Sequence, residues 1–246
     1  MKKIFLALVA LFATMSMNAQ TIVIYKNNVM IASYDNNATD TYKVVFKETP
    51  ATPTTGTAER EGGISVNWVQ LWAGGPKFAE YNVGAENNKP EDYGGYYCWG
   101  SSQNKVDNVQ NNGTDVLSGE TDTATKLWGE NWRMPTSTEL AGLLDAEKCT
   151  TTKTTINGVK GLLFTGKGNY AGNNIFLPAA GMSLFGYPRN QGEYGIYWSS
   201  TPNVGDSTYP YHLYTAQNNW EYSYVDCYHD TSSNGCFSVR AVLLEE

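Results

Sequence analysis

Positively charged residues are scarce in this sequence. The chain of 246 residues carries 17 Lys and Arg against 24 Asp and Glu, a net charge of −7, and its Lys and Arg form no cluster. Proteins that bind nucleic acid through its phosphates need a basic patch. We therefore expect no nucleic-acid partner. A charged content of only 17%, with abundant Asn, Gly, Ser, Thr and Tyr, is typical of a loop-rich exported domain.

Long apolar runs are also scarce. The main one extends from Ile4 to Ala13, after two lysines and before small and polar residues that end at Ala19. It is shorter than the roughly 20 apolar residues that cross a bilayer, and its layout is that of a secretory signal peptide. We expect cleavage after Ala19 and an exported chain that is secreted, periplasmic or at the cell surface, with no transmembrane segment. No Cys follows the cleavage position, which argues against a lipid anchor there.

Histidine is nearly absent, and this limits the catalytic arrangements that are open to the chain. His212 and His229 are the only two, so any Ser/His/Asp or Cys/His site must use the C-terminal segment. No G-x-S-x-G nucleophile elbow occurs, because the segment 181–185 lacks the second Gly. The sequence predicts no catalytic residue.

Metal and cofactor motifs are lacking as well. There is no C-x-x-C, no H-E-x-x-H and no Asp-rich calcium loop. We interpret the acidic pairs Glu91–Asp92 and Asp226–Asp230 as solvated loop carboxylates, with a calcium site as the alternative. Residues 166–171 fit G-x-G-x-x-A, but a dinucleotide site requires a helix next. A strand-like run follows instead, which favours a hairpin loop. No metal and no cofactor are expected.

Cysteine is infrequent but sufficient for disulfides. The four residues Cys98, Cys149, Cys227 and Cys236 allow three pairings in an oxidising compartment. Cys227 and Cys236 are nine positions apart, so they could bridge two adjacent strands. The sequence leaves the pairing open.

The pattern of turns and linkers divides the chain. After the signal peptide (1–19), residues 20–48 read as a small β unit, with a hairpin about Lys26-Asn27-Asn28 and a third strand in 41–48. Residues 49–61 are rich in Pro and Thr and have no apolar period, which predicts a linker. The principal domain is expected over 62–244.

Two short helices and several short strands are predicted in that domain. The run 121–129 places Ala124 and Trp128 on one face and ends at Gly129. The run 135–148 has Thr136 and Glu139 at capping-box spacing, followed by Leu140, Leu143 and Leu144. Strands are expected in the runs GLLFTG, NNIFLPAAG, GIYWSS, YHLYT, WEYSYV and CFSVRAVL. This arrangement predicts an α+β domain.

A set of phrases in this domain resembles one known family. They are NWVQLWAGGPKFAEYNVGA (67–85), PEDYGGYYCWG (90–100), KLWGENWRMPTSTEL (126–140), NGVKGLLFTGKG (157–168), NIFLPAAG (174–181), GIYWSSTP (195–202) and FSVRAV (237–242). Together they resemble the Fibrobacter-type major paralogous domain of exported proteins from gut bacteria. That family is related to the C-type-lectin-like fold of the formylglycine-generating enzyme.

The resemblance implies a C-type-lectin-like domain with two helices, a small twisted sheet and a loop-rich upper half. It implies structural roles for Arg133 and Pro135 and a place for Arg240 in the last strand. It also implies a core that contains Trp128, Trp132, Phe176, Trp198 and Phe237. The enzyme binds copper through a closely spaced Cys pair, which Cys227 and Cys236 do not match in spacing or surroundings. A copper oxidase of that type is therefore only an alternative reading.

A second branch of the same fold is similar in one respect. In the variable proteins of diversity-generating retroelements, binding residues cluster just before the final strand. Residues 210–234, which we call the Tyr/Asn-rich segment, have the Asn, Tyr, Ser, Asp and His content of such a region. The candidate ligand-binding residues are His212, Tyr214, Asn218, Asn219, Trp220, Tyr222, Tyr224, Asp226, Tyr228, His229 and Asp230.

Alternation along the predicted strand at the start of the Tyr/Asn-rich segment suggests which of these side chains are exposed. Tyr209, Tyr211 and Leu213 share one face, and His212 and Tyr214 lie on the other. We expect the face with Leu213 to point inward, which leaves His212 and Tyr214 exposed.

The sequence therefore favours an exported, non-enzymatic domain that recognises an extracellular protein or glycan. Exposed Tyr offers a large, rigid contact area with a polar tip. A structural or assembly subunit of a surface appendage, with residues 20–48 as the assembly element, is the main alternative.

Overall fold

The computed structural model describes residues 21–26, 29–35, 53–103, 115–203, 210–217, 223–227 and 235–244. The chain divides into two compact units, Met1–Ala51 and Thr52–Glu246. No helix among the described residues is long and apolar enough to cross a membrane.

The first unit contains the predicted hairpin. Strands β1 (Thr21–Lys26) and β2 (Val29–Asp35) pair antiparallel, with Thr21 opposite Asp35 and Lys26 opposite Val29. The expected third strand, in residues 41–48, lies outside the described residues.

The second unit is a mixed, strand-rich α+β structure. Its strands are β3 (Thr55–Arg60), β4 (Ile64–Gln70), β5 (Lys77–Ala79), β6 (Trp132–Arg133), β7 (Cys149–Ile156), β8 (Val159–Gly166), β9 (Asn174–Pro178), β10 (Met182–Leu184), β11 (Tyr187–Arg189), β12 (Tyr194–Trp198), β13 (His212–Ala216), β14 (Tyr224–Asp226), β15 (Gly235–Cys236) and β16 (Val242–Leu243). They form one five-stranded sheet (β3-β4-β5-β16-β6) and three three-stranded sheets (β7-β8-β9, β12-β13-β14 and β11-β10-β15).

Both predicted helices are present: the first ends at the expected Gly129, and the second begins at the expected capping box but ends at Leu144, four residues before the end of the predicted run. Helix α1 (Thr123–Trp128) starts at Asp122, whose carboxylate accepts from the Ala124 and Thr125 amides, and it stops at Gly129, whose φ is 91°. Helix α2 (Ser137–Leu144) has the predicted capping box. The Thr136 hydroxyl accepts from the Glu139 amide, and the Glu139 carboxylate accepts from the Thr136 amide.

One part of the predicted linker is wrong. Residues 55–60 were expected in the linker, but they form β3 and pair antiparallel with β4 from Thr55–Val69 to Arg60–Ile64. The turn between them contains Gly62 and Gly63, both at positive φ. The Thr-rich run lacks an apolar period because its side chains alternate between exposed and half-buried positions at a sheet edge. Pairing with β4 supplies the backbone hydrogen bonds of this strand, and the sequence of residues 55–60 alone does not indicate that pairing.

The glycine motif at 166–171 is a hairpin connection, as predicted. Strand β8 is followed by a 3₁₀ turn at Gly168–Tyr170 and then by β9, which pairs antiparallel with β8. No helix begins there, so the backbone amides needed to hold a pyrophosphate are not arranged for it.

The five aromatic residues expected in the core are buried. Their exposed fractions are 4% or less: Trp128, Trp132, Phe176, Trp198 and Phe237. Arg240 is fully buried, and its guanidinium donates to Asn82 Oδ1 and to the carbonyls of Ala79, Glu80 and Phe176 at 2.7–3.0 Å. The Arg240 side chain therefore links the end of β5 to β9 through hydrogen bonds. Burial lowers the pKa of Arg240 to about 10, and the side chain stays charged.

Candidate functional site

The described part of the Tyr/Asn-rich segment is the middle and one edge of a small sheet. Strand β13 lies between β12 and β14, with His212 opposite both Trp198 and Asp226. A bridge between Tyr197 and Ser238 joins this sheet to the C-terminal chain, and a separate bridge pairs Tyr97 with Phe237 of that chain. All five residues of β13 are buried.

The predicted exposure of His212 is wrong. This residue is 3% exposed, and its ring makes edge contacts with Trp198 (6.0 Å between centroids) and Phe237 (5.6 Å). Its Nδ1 lies 3.3 Å from the Pro210 carbonyl oxygen. His212 is therefore part of the core under the segment and is not available as a ligand contact.

The predicted exposure of Tyr214 is also wrong. Tyr214 is 7% exposed, and its ring packs between Tyr194 (5.2 Å) and Tyr224 (5.0 Å, 16° between planes). Alternation places Leu213 on the opposite face, as expected, but that face also meets a core cluster. The prediction assumed that one face of the strand is solvated. This assumption is wrong for β13, because it is a central strand whose two faces are both covered.

Strand β14 holds the two predicted contact residues that the structure leaves partly at the surface. Tyr224 and Asp226 are half-buried and share one face, while Val225 packs on the other beside Leu213. The Asp226 carboxylate accepts from the Cys227 amide at 2.6 Å. Tyr211 lies beside this end of β14, and its electrostatic interaction with the Cys227 side chain raises the pKa of its phenol.

Seven predicted contact residues lie outside the described residues: Asn218, Asn219, Trp220, Tyr222, Tyr228, His229 and Asp230. Their points of attachment are described. Residues 218–222 connect Gln217 to Ser223 at one end of the β13–β14 pair, whereas residues 228–234 follow Cys227 at the other end. The two attachment points are separated by the length of β13, roughly 13 Å for five residues. The two stretches of predicted residues therefore attach at opposite ends of this strand pair.

An aromatic feature that sequence analysis missed lies in the hairpin of β10 and β11, which we call the aromatic hairpin. Phe185 is 81% exposed and Tyr187 is 67% exposed. Phe185 has a φ of 53° and Gly186 a φ of 84°, so both central turn residues are left-handed. A bulky residue pays about 1–2 kcal/mol for this conformation. The dipeptide Phe-Gly, which lies between the apolar residues Leu184 and Tyr187, is the sequence signal for this turn.

The aromatic hairpin is joined to the end of the Tyr/Asn-rich segment. Strand β10 pairs antiparallel with β15, so Leu184 lies opposite Gly235 and Ser183 lies opposite Cys236. Gly235 follows directly on residue 234, the last of the segment. The exposed Phe185 therefore follows directly on Leu184, which pairs with the residue after the segment.

The disulfide in this region differs from the pairing that we considered. Cys236 is bonded to Cys98, and Cys227 and Cys149 are free thiols. The bridge between Tyr97 and Phe237 explains the pairing. Two reciprocal hydrogen bonds of 2.9 Å hold these residues opposite each other, so the next antiparallel positions, Cys98 and Cys236, also face each other. This contact is 138 positions apart in sequence and has no local signature.

Ionisable groups near the site form no metal-binding cluster in the part of the chain that the structure describes. No group of three or more His, Cys, Asp or Glu side chains comes together there. The chemistry on offer at this surface is instead aromatic contact and hydrogen bonding, from Phe185, Tyr187, Tyr224 and Asp226.

Comparison with known proteins adds no relative. No protein-family model matches the chain, and neither a curated protein nor a solved structure matches it.

Proposed function

We propose that this chain is an exported, non-catalytic binding domain of the C-type-lectin-like class that recognises an extracellular protein or glycan. The binding surface is formed by the aromatic hairpin and the adjoining Tyr/Asn-rich segment, 210–234. His212 and Tyr214 support this surface from below, and the contacts come from Phe185, Tyr187, Tyr224 and Asp226 together with the predicted residues 218–222 and 228–230.

The observation that carries the proposal is the exposed aromatic pair at the tip of the aromatic hairpin, in which Phe185 is also held in a strained, left-handed conformation. A solvent-exposed Phe in a left-handed turn costs stability in the free protein, and an Asn there would relieve it. Residues held in such conformations cluster at ligand contacts. Large aromatic side chains with few rotors are also those that dominate binding energy at interfaces. Phe185 has both properties, and Tyr187 adds a second exposed ring beside it.

The order of elements supports the fold class in the proposal. Strand β6 enters helix α2 through Arg133 and Pro135, as the family resemblance implies, and the Arg133 guanidinium binds the Glu139 carboxylate at 2.6 and 2.8 Å. Arg240 precedes the last strand and crosslinks the core.

The copper-oxidase alternative meets a chemical obstacle. It requires the thiolates of both Cys227 and Cys236, but the Cys236 sulfur is bonded to Cys98. Metal binding by the pair would first require reduction of that bond. No observation favours this alternative over a binding surface.

A paired set of variants tests the proposal. Phe185→Asn with Tyr187→Thr removes both rings while keeping residues that suit the turn and the strand. Val116→Ser with Leu244→Ser removes two other exposed apolar side chains, each 52% exposed, as the matched control. The mature chain is applied to a glycan array and to immobilised mucin glycoprotein. We expect ligands to be lost by the hairpin variant and kept by the control variant; equal loss or equal retention overturns the placement.

A further inference from the structure

A cavity of about 200 Å³ lies in the second unit, between the end of β3, the end of α1 and the loop after β5. Three aromatic rings line it, from Tyr81, Tyr97 and Trp128. Its polar wall consists of the Arg60 guanidinium and the Asn88 amide. The volume is below the roughly 300–1,000 Å³ of sites for drug-sized ligands, so it suits one small ring-sized molecule.

Arg60, the positively charged residue of this cavity, has no carboxylate partner among the described residues. The Arg60 guanidinium lies 5.5 Å from the centroid of the Trp128 ring. Its one hydrogen bond, from Nη2 to Asn88 Oδ1, is long at 3.4 Å. The Nε atom is shielded from solvent and has no acceptor. A guanidinium presents a planar fork of donors that matches a carboxylate in a bidentate manner.

Two tyrosine side chains, Tyr81 and Tyr97, add hydroxyl groups to the lining of the cavity. Tyr81 is 3% exposed, and its hydroxyl has no hydrogen-bond partner within the described part of the chain. The Tyr97 hydroxyl packs against two glycines, since a Cβ on Gly84 would lie 2.4 Å from it and a Cβ on Gly95 would lie 2.3 Å from it. Buried polar groups without partners are costly, so a ligand with oxygen atoms gains by meeting them.

The loop that carries Asn88 is held in place without a ligand. The Asp92 carboxylate accepts from the Asn87 amide at 2.7 Å and from the Lys89 amide at 3.3 Å. Asn88 itself is left-handed, with a φ of 55°, and this conformation turns the loop at the cavity wall. Ligand binding therefore requires little further ordering of the protein, and this favours the binding of even a small ligand.

We propose that this cavity binds a small carboxylate, of about one ring in size, with its anionic group on Arg60 and its ring against Trp128. The site is independent of the proposed binding surface, because none of its nine lining residues belongs to the aromatic hairpin or to the Tyr/Asn-rich segment. Its ligand class follows from the guanidinium fork, the aromatic walls and the volume.

Binding is measured by ligand-observed NMR on the mature chain with two carboxylates and their neutral counterparts. The probes are D-glucuronate against D-glucose, benzoate against benzyl alcohol, and inorganic phosphate as another oxyanion. We expect one or both carboxylates to bind, at least about tenfold more tightly than the matching neutral probe and than phosphate. Binding of D-glucuronate would indicate a ligand with a saccharide ring, and binding of benzoate would indicate a ligand with an aromatic ring.

Two variants of Arg60 and one control locate the site. Arg60→Gln removes the charge, and Arg60→Lys keeps it but loses the fork; both should weaken carboxylate binding about tenfold or more. Arg189→Gln removes an exposed Arg on β11 and should leave binding unchanged. Near-UV circular dichroism checks folding, and Arg60→Lys decides the result where Arg60→Gln fails to fold. Absence of carboxylate binding, equal binding of the neutral probes, stronger binding of phosphate or retention by both Arg60 variants overturns the proposal.

Discussion

Leu184 on β10 lies directly opposite Gly235 on β15. This pair connects the exposed Phe185 at the tip of the aromatic hairpin with the residue that follows the Tyr/Asn-rich segment. Two regions that are about 25 to 50 positions apart in sequence thus meet in one small sheet. The proposed binding surface depends on this connection, because the rings in the described part of the segment, Tyr211, His212, Tyr214 and Tyr224, are buried or half-buried.

The strain at Phe185 predicts an unusual effect on stability. Replacing an exposed aromatic residue normally changes stability little, but Phe185→Asn should leave it unchanged or raise it by about 1 kcal/mol, because Asn adopts the left-handed conformation more readily. Urea unfolding of the variant and the parent measures the difference. A loss of more than about 1 kcal/mol would show that the Phe185 ring stabilises the fold, and the argument from strain would fail.

The burial of Tyr214 predicts that two neighbouring tyrosines differ in mutational cost. Tyr214→Ala should destabilise the domain by about 3–5 kcal/mol, because it leaves a cavity between Tyr194 and Tyr224. Tyr224→Ala removes a half-buried ring at the sheet edge and should cost about 1–2 kcal/mol. Denaturant midpoints for the two variants test this order. Equal costs would contradict the placement of Tyr214 in the core.

The contrast between these residues shows where sequence analysis succeeds and fails. Helix α2 was predictable because Thr136, Glu139 and the following leucines signal it within one short window. The burial of His212 was not, because it depends on Trp198 and Phe237, which are distant in sequence. The burial of Tyr214 likewise depends on Tyr194 and Tyr224 of the neighbouring strands. The same holds for the Cys98–Cys236 bond, which follows from the pairing of Tyr97 with Phe237.

Residues 55–60 illustrate a second limit. Their Thr-rich composition is compatible with a linker or with an edge strand, and only the register with β4 decides between them. The exposure of Phe185 had a weak local signal in the dipeptide Phe-Gly. That dipeptide indicates a turn, but it does not say whether the aromatic ring faces water.

The disulfide predicts a definite pattern of thiol reactivity. Alkylation in urea without reductant should modify two cysteines, Cys149 and Cys227, and four after reduction. In the native state Cys227 should react first, because Cys149 is 4% exposed and burial raises its pKa to about 11. Peptide mapping by mass spectrometry should find Cys98 linked to Cys236. A peptide that links Cys227 to Cys236 would refute this pairing.

Reduction of this bond should also weaken the domain. It closes a loop of 138 positions, and removal of a native disulfide from an exported domain costs about 2–5 kcal/mol. Cys227→Ser, which leaves the bond intact, is the control. Its denaturant midpoint should equal that of the parent protein. If Cys98→Ser and Cys227→Ser have the same midpoint, the bond contributes nothing to stability.

The Arg133–Glu139 pair predicts a pH dependence of stability. Burial by itself raises the pKa of Glu139, but the hydrogen bonds and charge of Arg133 and the bonds from Thr136 outweigh it, so the pKa lies below its usual 4.5. Ionised Glu139 therefore adds stability above that value, and the contribution is lost as pH falls through the lower folded-state pKa. At pH 7, Glu139→Gln should cost about 1.5–3 kcal/mol.

Denaturant unfolding of the parent and Glu139→Gln from pH 7 to pH 3 measures this contribution. The difference between them should shrink as the pH falls below 4.5. Glu120→Gln is the matched control, since Glu120 pairs with Lys126 in solvent at 2.7 Å and its side chain is 87% exposed. That variant should differ little from the parent at any pH. A difference for Glu139→Gln that stays constant with pH would rule out the linkage.

The central claim is that the aromatic hairpin and the adjoining segment form the binding surface. The most direct test is the dissociation constant, by surface plasmon resonance, of the strongest array ligand for the parent, for Phe185→Asn/Tyr187→Thr and for Val116→Ser/Leu244→Ser. Loss of two aromatic anchors should raise the constant by about thirtyfold or more, with the control variant unchanged. Equal constants for the parent and the hairpin variant would contradict the claim.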